Sequence, residues 1–169
     1  IDDFKSFIKG NDKIVHFKLK KEINTFVSLI NSLVKQYQIE LILDISDDTK
    51  ILGYPTQLLQ CFINIFNNSK DAYKENEKKL FFIEEKRIDN NIIITFKDNA
   101  GGIKKDVINK IFEPYFTTKH SSQGTGLGLH MTYKLIHDSM KGSITAENVR
   151  YKYENEKYNG AQFTIILPI

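Results

Sequence analysis

Cysteine is almost missing: Cys61 stands alone among 169 residues, so no disulfide can form within the chain. A fold held together without disulfides suits a reducing compartment. Cys61 sits in an apolar helical pattern and reads as a buried, inert thiol. Long apolar runs are missing too. No stretch reaches the roughly 20 residues that a membrane-crossing helix needs, and no signal peptide opens the chain. A clustered excess of one charge is also absent. Lys and Arg number 24 against 21 Asp and Glu, for a net charge of +3. The lysines are interleaved with acids, which describes a solvated surface rather than the basic face of a nucleic-acid binder. There is no internal repeat and no low-complexity linker. These absences imply a cytoplasmic domain that binds no nucleic acid. Ile rather than Met at position 1 leads us to expect a longer parent, and leaves open a membrane anchor in that parent.

What is present is 41% hydrophobic residues, enough for one core. Residues 1–10 put Phe4, Phe7 and Ile8 on one helical face and stop at Gly10, the tail of a preceding domain. Alternation predicts a strand over 14–19. Ile23, Phe26, Val27, Ile30, Leu33, Val34 and Tyr37 predict a helix over 21–37. Alternation returns from Ile39 to Ile45, and Asp47-Asp48 turns the chain. Pro55 suits the start of a helix predicted over 56–75. Residues 79–88 and 91–97, joined by Asp89-Asn90, predict a hairpin. A third helix is expected over 126–139, then strands over 142–149 and 161–167, with the polar, Tyr-rich stretch 150–160 as an extended loop. Mixed order without βαβ regularity predicts an α+β two-layer sandwich.

The second helix has an unusual polar face. Gln57, Gln60, Asn64, Asn67, Asn68, Asp71 and Glu75 fall within about 60° of Asn64 at 100° per residue. Leu58, Leu59, Phe62, Phe66, Ser69 and Tyr73 lie opposite. Asn is a mediocre helix former, and a surface face normally uses Glu and Lys. Three Asn within five residues point to a task for amide oxygens, which are hard neutral ligands suited to Mg²⁺. An Asn-rich surface in an Asn-rich chain is the plain alternative.

Two glycine clusters follow. Asp98 ends a strand before Asn99-Ala100-Gly101-Gly102. A carboxylate there can accept from the exocyclic amine of adenine and would reject the carbonyl of guanine; an ordinary Asp-Asn turn is the alternative. Gly124-x-Gly126-x-Gly128 lacks the Gly-Lys-Ser/Thr of a Walker loop and the spacing of a dinucleotide fingerprint. It still offers backbone amides at a helix start, or else a simple hinge. Thr118 and Lys119 lie just upstream in a polar segment that can close over phosphates, with Phe112, Tyr115 and Phe116 anchoring its base.

Together these stretches resemble the ATP-binding catalytic domain of sensor histidine kinases, from about residue 12 to 169. Gln60 to Asn68 resembles the N box, Asp98 to Gly102 the first glycine box, Phe112 to Phe116 the phenylalanine box and Gly124 to Gly128 the second glycine box. Gly160 to Pro168 resembles the last strand. The resemblance implies the Bergerat-type fold, a mixed sheet with three helices on one face, shared with gyrase, the MutL repair protein and heat-shock chaperone ATPases. It implies residues 1–11 as the end of a dimerisation and phosphoacceptor helix and 12–169 as the catalytic domain. It implies ATP and Mg²⁺, with Asn68 on the metal, Asn64 at the phosphates and Lys119 in the catalytic set. Asp98 and Gly102 would hold adenine. Asp71, Ile103, Phe112, Thr118, Gly124, Thr125, Gly126, Leu127, Gly128 and Leu129 would complete the ATP contacts.

Departures from the family are Asp71-Ala72, where Lys and Tyr are frequent, Tyr73 one place late for an aromatic wall, and Ala100 for a glycine. ATP-hydrolysing relatives carry a Glu at the position of Asn64, and an amide cannot act as a general base. The resemblance therefore implies phosphoryl transfer to a protein acceptor. His137-Asp138 superficially looks like an acceptor pair but lies in the third helix, His16 is read as an exposed strand residue, and His120 sits in the lid. The acceptor histidine is expected upstream, in the parent's own dimerisation domain, with relay to a response regulator receiver domain. The chain alone is expected to be monomeric and the parent homodimeric. An anti-sigma-factor-type serine kinase and a degenerate nucleotide-binding interaction module remain as alternatives.

Overall fold

The computed structural model describes residues 13–116 and 127–169. Its strands are β1 (Val15–Lys18), β2 (Ile39–Asp44), β3 (Lys50–Gly53), β4 (Lys79–Ile88), β5 (Asn91–Asp98), β6 (Ser143–Tyr153) and β7 (Glu156–Pro168). Its helices are α1 (Leu19–Tyr37), α2 (Pro55–Ala72) and α3 (Gly128–Lys134), the last running into a π-helical turn (Leu135–Ser139). A single 3₁₀ turn spans Ile108–Lys110. Among the described residues, no helix is long and apolar enough to cross a membrane.

β2, β4, β5, β7 and β6 form one sheet in that order, and β1 pairs with β3 in a separate two-stranded ribbon. Only β2 and β4 are parallel; the remaining pairs are antiparallel, so the sheet is mixed. β5 shows why the sheet has one wet face. Ile92, Ile94 and Phe96 are buried, while Ile93, Thr95 and Lys97 between them are half-buried, the alternation expected when helices cover a single face. Phe81, Ile83, Phe163, Ile165 and Leu167 join that buried face, against Ile23, Phe26 and Ile30 of α1, Leu58, Phe62 and Phe66 of α2, and Met131, Leu135 and Ile136 of the third helical segment. This is the α+β two-layer sandwich with three helices on one face. Five phenylalanines knit its centre: Phe26 meets Phe62 and Phe66 edge-on at 5.9 and 6.0 Å, Phe62 meets Phe96 at 5.2 Å, and Phe66 meets Phe81 at 5.4 Å. Edge-on pairs add about 0.5–1.5 kcal/mol each beyond burial.

Four elements differ from the sequence expectation. β3 has no counterpart in the sequence pattern: of its four residues Ile51 and Gly53 are buried, and it pairs with β1 just before Pro55. α2 stops at Ala72, because Tyr73 turns to extended backbone (φ −63°, ψ 143°), so Glu75 lies off the helix. Gln57, placed on the polar face by its angle, is buried in the first turn of α2. The stretch 150–160 is no loop. Arg150 pairs with Asn159 and Tyr151 with Tyr158, down to a two-residue turn at Glu154-Asn155, both at positive φ (48° and 67°). That geometry matches the twist of a hairpin.

Candidate functional site

The strand alternation that buries Phe96 puts the next inward position at Asp98, so a carboxylate arrives on the helix side of the sheet with 2% exposure. On α2 the stripe Leu58, Phe62, Phe66 reaches Ser69, also 2% exposed. The two meet: Ser69 Oγ donates to Asp98 Oδ2 at 2.6 Å. Asp98 Oδ1 accepts from the N–H groups of Ala100 and Ala161, both at 3.0 Å. Tyr151 donates its hydroxyl to the Asp98 carbonyl at 2.8 Å. Three donors hold the carboxylate in one orientation, while Oδ2 keeps unused acceptor capacity. Gly160 allows this approach, since a Cβ there would lie 1.8 Å from the Asp98 carbonyl oxygen.

The first glycine box leaves the sheet beside Asp98. Gly101 and Gly102 have φ of 96° and 88°, and Ala100 is not among the positive-φ residues, so its methyl is accommodated. Asn148 of β6 grips the next residue. Its Oδ1 accepts from Ile103 N–H at 2.7 Å and its Nδ2 donates to the Ile103 carbonyl at 2.6 Å. A Cβ on Gly102 would lie 2.8 Å from that same Oδ1, so Gly102 is needed twice over. Asn99 is fixed likewise, accepting from Leu80 N–H and donating to the Lys78 carbonyl, both at 2.8 Å. Tyr73 donates its hydroxyl to the Leu80 carbonyl at 2.5 Å. Burial pushes the Tyr73 phenol well above its ordinary value, and the Asp98 charge adds to this.

On the amide face of α2, Asn64, Asn67 and Asn68 are all half-buried. Asn64 is fully engaged as a donor: its Nδ2 reaches the Gly128 carbonyl at 3.0 Å and Thr132 Oγ1 at 3.1 Å. Its Oδ1 accepts from Gln60 Nε2 at 3.0 Å. Asn68 makes no side-chain hydrogen bond among the described residues. Asp71 is exposed, with Lys70 Nζ at 3.6 Å. Gly128 opens α3, and Leu127 precedes it as N-cap. Leu129 packs on the core.

The phenylalanine box is joined to α3. The Phe112 ring lies edge-on to Phe163 at 6.3 Å and against Tyr133 at 6.1 Å. His130 Nδ1 donates to the Phe112 carbonyl at 3.0 Å. Phe116 packs on the core. Tyr115 is 74% exposed, at a φ of 65°. Thr118, Lys119, His120, Gly124, Thr125 and Gly126 lie outside the described residues, as do residues 1–12. His16 is exposed on β1. His137 is exposed on the π-helical turn, stacked on Tyr133 at 5.4 Å and 2.9 Å from Asp138.

Sequence reasoning missed Ser69, Thr132, Asn148 and Tyr151. Ser69 left one faint trace, a hydroxyl ending an apolar stripe. Asn148 and Tyr151 left none, because only β6 pairing brings them to the glycine box.

The donor set fits a purine nucleotide. Asp98 offers an oriented acceptor, and glycines expose the backbone beside it. Among the described residues a Cβ on Gly128 would meet only Asn64, at an ordinary 3.8 Å. Among the described residues no group of three or more His, Cys, Asp or Glu can hold a metal. A hard cation would thus rely on the Asn68 amide oxygen, waters and the nucleotide's own phosphates, the usual habit of Mg²⁺.

Comparison with known proteins bears on this geometry. Residues 53–169 match the profile of the histidine kinase-, DNA gyrase B- and HSP90-like ATPase family. The chain is 32% identical over 145 residues to sporulation kinase E of Bacillus subtilis, covering 85% of this chain and 18% of that protein. It is 31% identical over 144 residues to the sensor histidine kinase ZraS of Salmonella typhi, covering 85% of this chain and 29% of that one. It thus spans under a third of either. The catalytic domain of histidine kinase ThkA superposes with a TM-score of 0.77 at 27% identity, over 92% of this chain and 95% of that domain. ThkA in complex with the response regulator protein TrrA matches at 0.73 and 20% identity, over 99% of this chain and 47% of ThkA, a likeness of fold.

Proposed function

The chain belongs to the histidine kinase-, DNA gyrase B- and HSP90-like ATPase family, and carries an ATP-binding catalytic domain. From that premise we propose that it transfers the γ-phosphoryl group of Mg·ATP to a histidine in an upstream dimerisation domain of its parent, for relay to a response regulator. Bound ATP supplies the phosphoryl group. The chain's own residues bind, orient and neutralise. Asp98 accepts from the adenine amine, held by Ser69 and two backbone amides. Gly102 and Ile103, gripped by Asn148, line the base's edge. Asn68 supplies the amide oxygen for Mg²⁺, and Thr118, Lys119, Gly124 to Gly128 and Leu129 receive the phosphate tail. Asp71 and Phe112 border the cleft.

The observation that carries the reading is Asn64. It stands four residues before Asn68, where a water-activating base would be needed for hydrolysis. It is an amide, with both N–H groups already given to Gly128 and Thr132. It cannot take a proton from water. Positioning and charge neutralisation, which suffice for phosphoryl transfer, are what these groups offer. The likeness to ThkA, solved with TrrA, supports a response regulator as the downstream partner.

Labelled ATP tests the proposal. The chain alone should stay unlabelled, and a separately prepared dimerisation domain of the parent should gain an acid-labile phosphate when the chain is added. Stoichiometric self-labelling, or rapid hydrolysis without transfer, would contradict it.

A further inference from the structure

The Gly128 carbonyl is held by two side chains at once. Thr132 Oγ1 donates to it at 2.9 Å and Asn64 Nδ2 at 3.0 Å. Asn64 also donates to Thr132 Oγ1 at 3.1 Å, closing a triangle, and Gln60 donates to Asn64 Oδ1 at 3.0 Å. Directions are forced. A flipped Asn64 would set its oxygen against the Gly128 oxygen and against an Oγ1 whose proton is already given away. Thr132 is fully buried, at 0% exposure. A buried hydroxyl with two polar partners serves more than packing, since Val would fill the same volume.

The network joins two motifs that lie 64 residues apart in the chain. Asn64 and Asn68 share one face of α2, one turn apart. Gly128 is the last residue of the second glycine box and the first of α3. We propose that Thr132 and Asn64 are positioning residues, which register Gly128 and the start of α3 against α2 and so hold the backbone there in place relative to the Asn68 amide. Asn64 on this view acts through Gly128 rather than on the phosphates. The inference rests on the reading that the glycine box receives the phosphate tail.

Binding of ATP and of adenosine to the 169-residue chain separates the possibilities. Thr132→Val should weaken Mg·ATP about five- to tenfold, the worth of one buried hydrogen bond, and leave adenosine unchanged. Thr132→Ser, which keeps the hydroxyl, should restore ATP affinity. Asn64→Leu, which removes both amide donors, should repeat the phosphate-selective loss and also covers the case in which Thr132→Val does not fold. Equal losses for ATP and adenosine would assign Thr132 to packing alone and overturn the inference. So would an ATP loss confined to Asn64→Leu, which would return Asn64 to direct phosphate contact. If the unaltered chain bound adenosine as tightly as ATP, the phosphate reading itself would fall, and the clamp with it.

Discussion

Ser69 Oγ lies 2.6 Å from Asp98 Oδ2, both residues buried, one on the last turn of α2 and the other at the end of β5. The contact fastens helix to sheet at the point where the apolar stripes of both run out. It also aims a carboxylate that no described cation pairs. A helical serine usually faces solvent or its own carbonyls; this one is used to orient an acceptor.

Replacing Ser69 by Ala should therefore cost stability and affinity together. A carboxylate oxygen that loses its side-chain donor in a buried setting costs about 1–3 kcal/mol. Denaturant unfolding should show that shift, and ATP affinity should fall by about tenfold or less. An unchanged midpoint would mean that water replaces the hydroxyl freely.

Asn68→Ala should remove the metal dependence of nucleotide binding. Affinity for ATP without Mg²⁺ should hardly move, while the gain on adding Mg²⁺ should vanish. Titration of both proteins with and without the cation checks this. A variant whose ATP affinity still responds to Mg²⁺ would take Asn68 off the metal.

Gly160→Ala places a methyl 1.8 Å from the Asp98 carbonyl oxygen. Backbone must move, at a cost of about 3 kcal/mol or more. Thermal unfolding should register the loss, and ATP binding should weaken in parallel, because Ala161 N–H, the next residue's amide, holds Asp98 Oδ1.

Tyr73 gives the stability a pH signature. Its phenol is raised from 10.0 in the folded chain, by burial first and then by the Asp98 and Tyr151 charges. The folded state thus holds this proton more tightly than the unfolded state. The stabilisation is complete below the unfolded value of 10.0 and is lost as pH rises above it. Tyr73→Phe should flatten the alkaline fall by up to about 1.4 kcal/mol per pH unit. Parallel slopes for both proteins above that pH would contradict it.

Much of this was legible in the chain. The β4–β5 hairpin was plain, because Ile92, Ile94 and Phe96 alternate up to Asp98 and a two-residue turn precedes them. The amide face of α2 could be read because Asn is a poor choice for mere solvation. β3 was hidden, because only Ile51 and Gly53 of its four residues are buried, too few for a pattern. The Tyr-rich hairpin escapes a local reading because its polar residues carry no apolar alternation, and its half-buried Tyr151 and Tyr153 pack on Phe82 of a distant strand. Asn148, Thr132 and Tyr151 earn their roles through partners 45, 68 and 53 residues away, and no local rule registers such distances.

Calorimetric titration of the chain with ATP, with and without Mg²⁺ and beside Asp98→Ala, tests the central claim most directly. The account predicts one ATP per chain, tighter with Mg²⁺, poor competition by GTP, and binding largely abolished in Asp98→Ala. A heat-silent titration, or binding that neither GTP nor Asp98→Ala distinguishes, would contradict it.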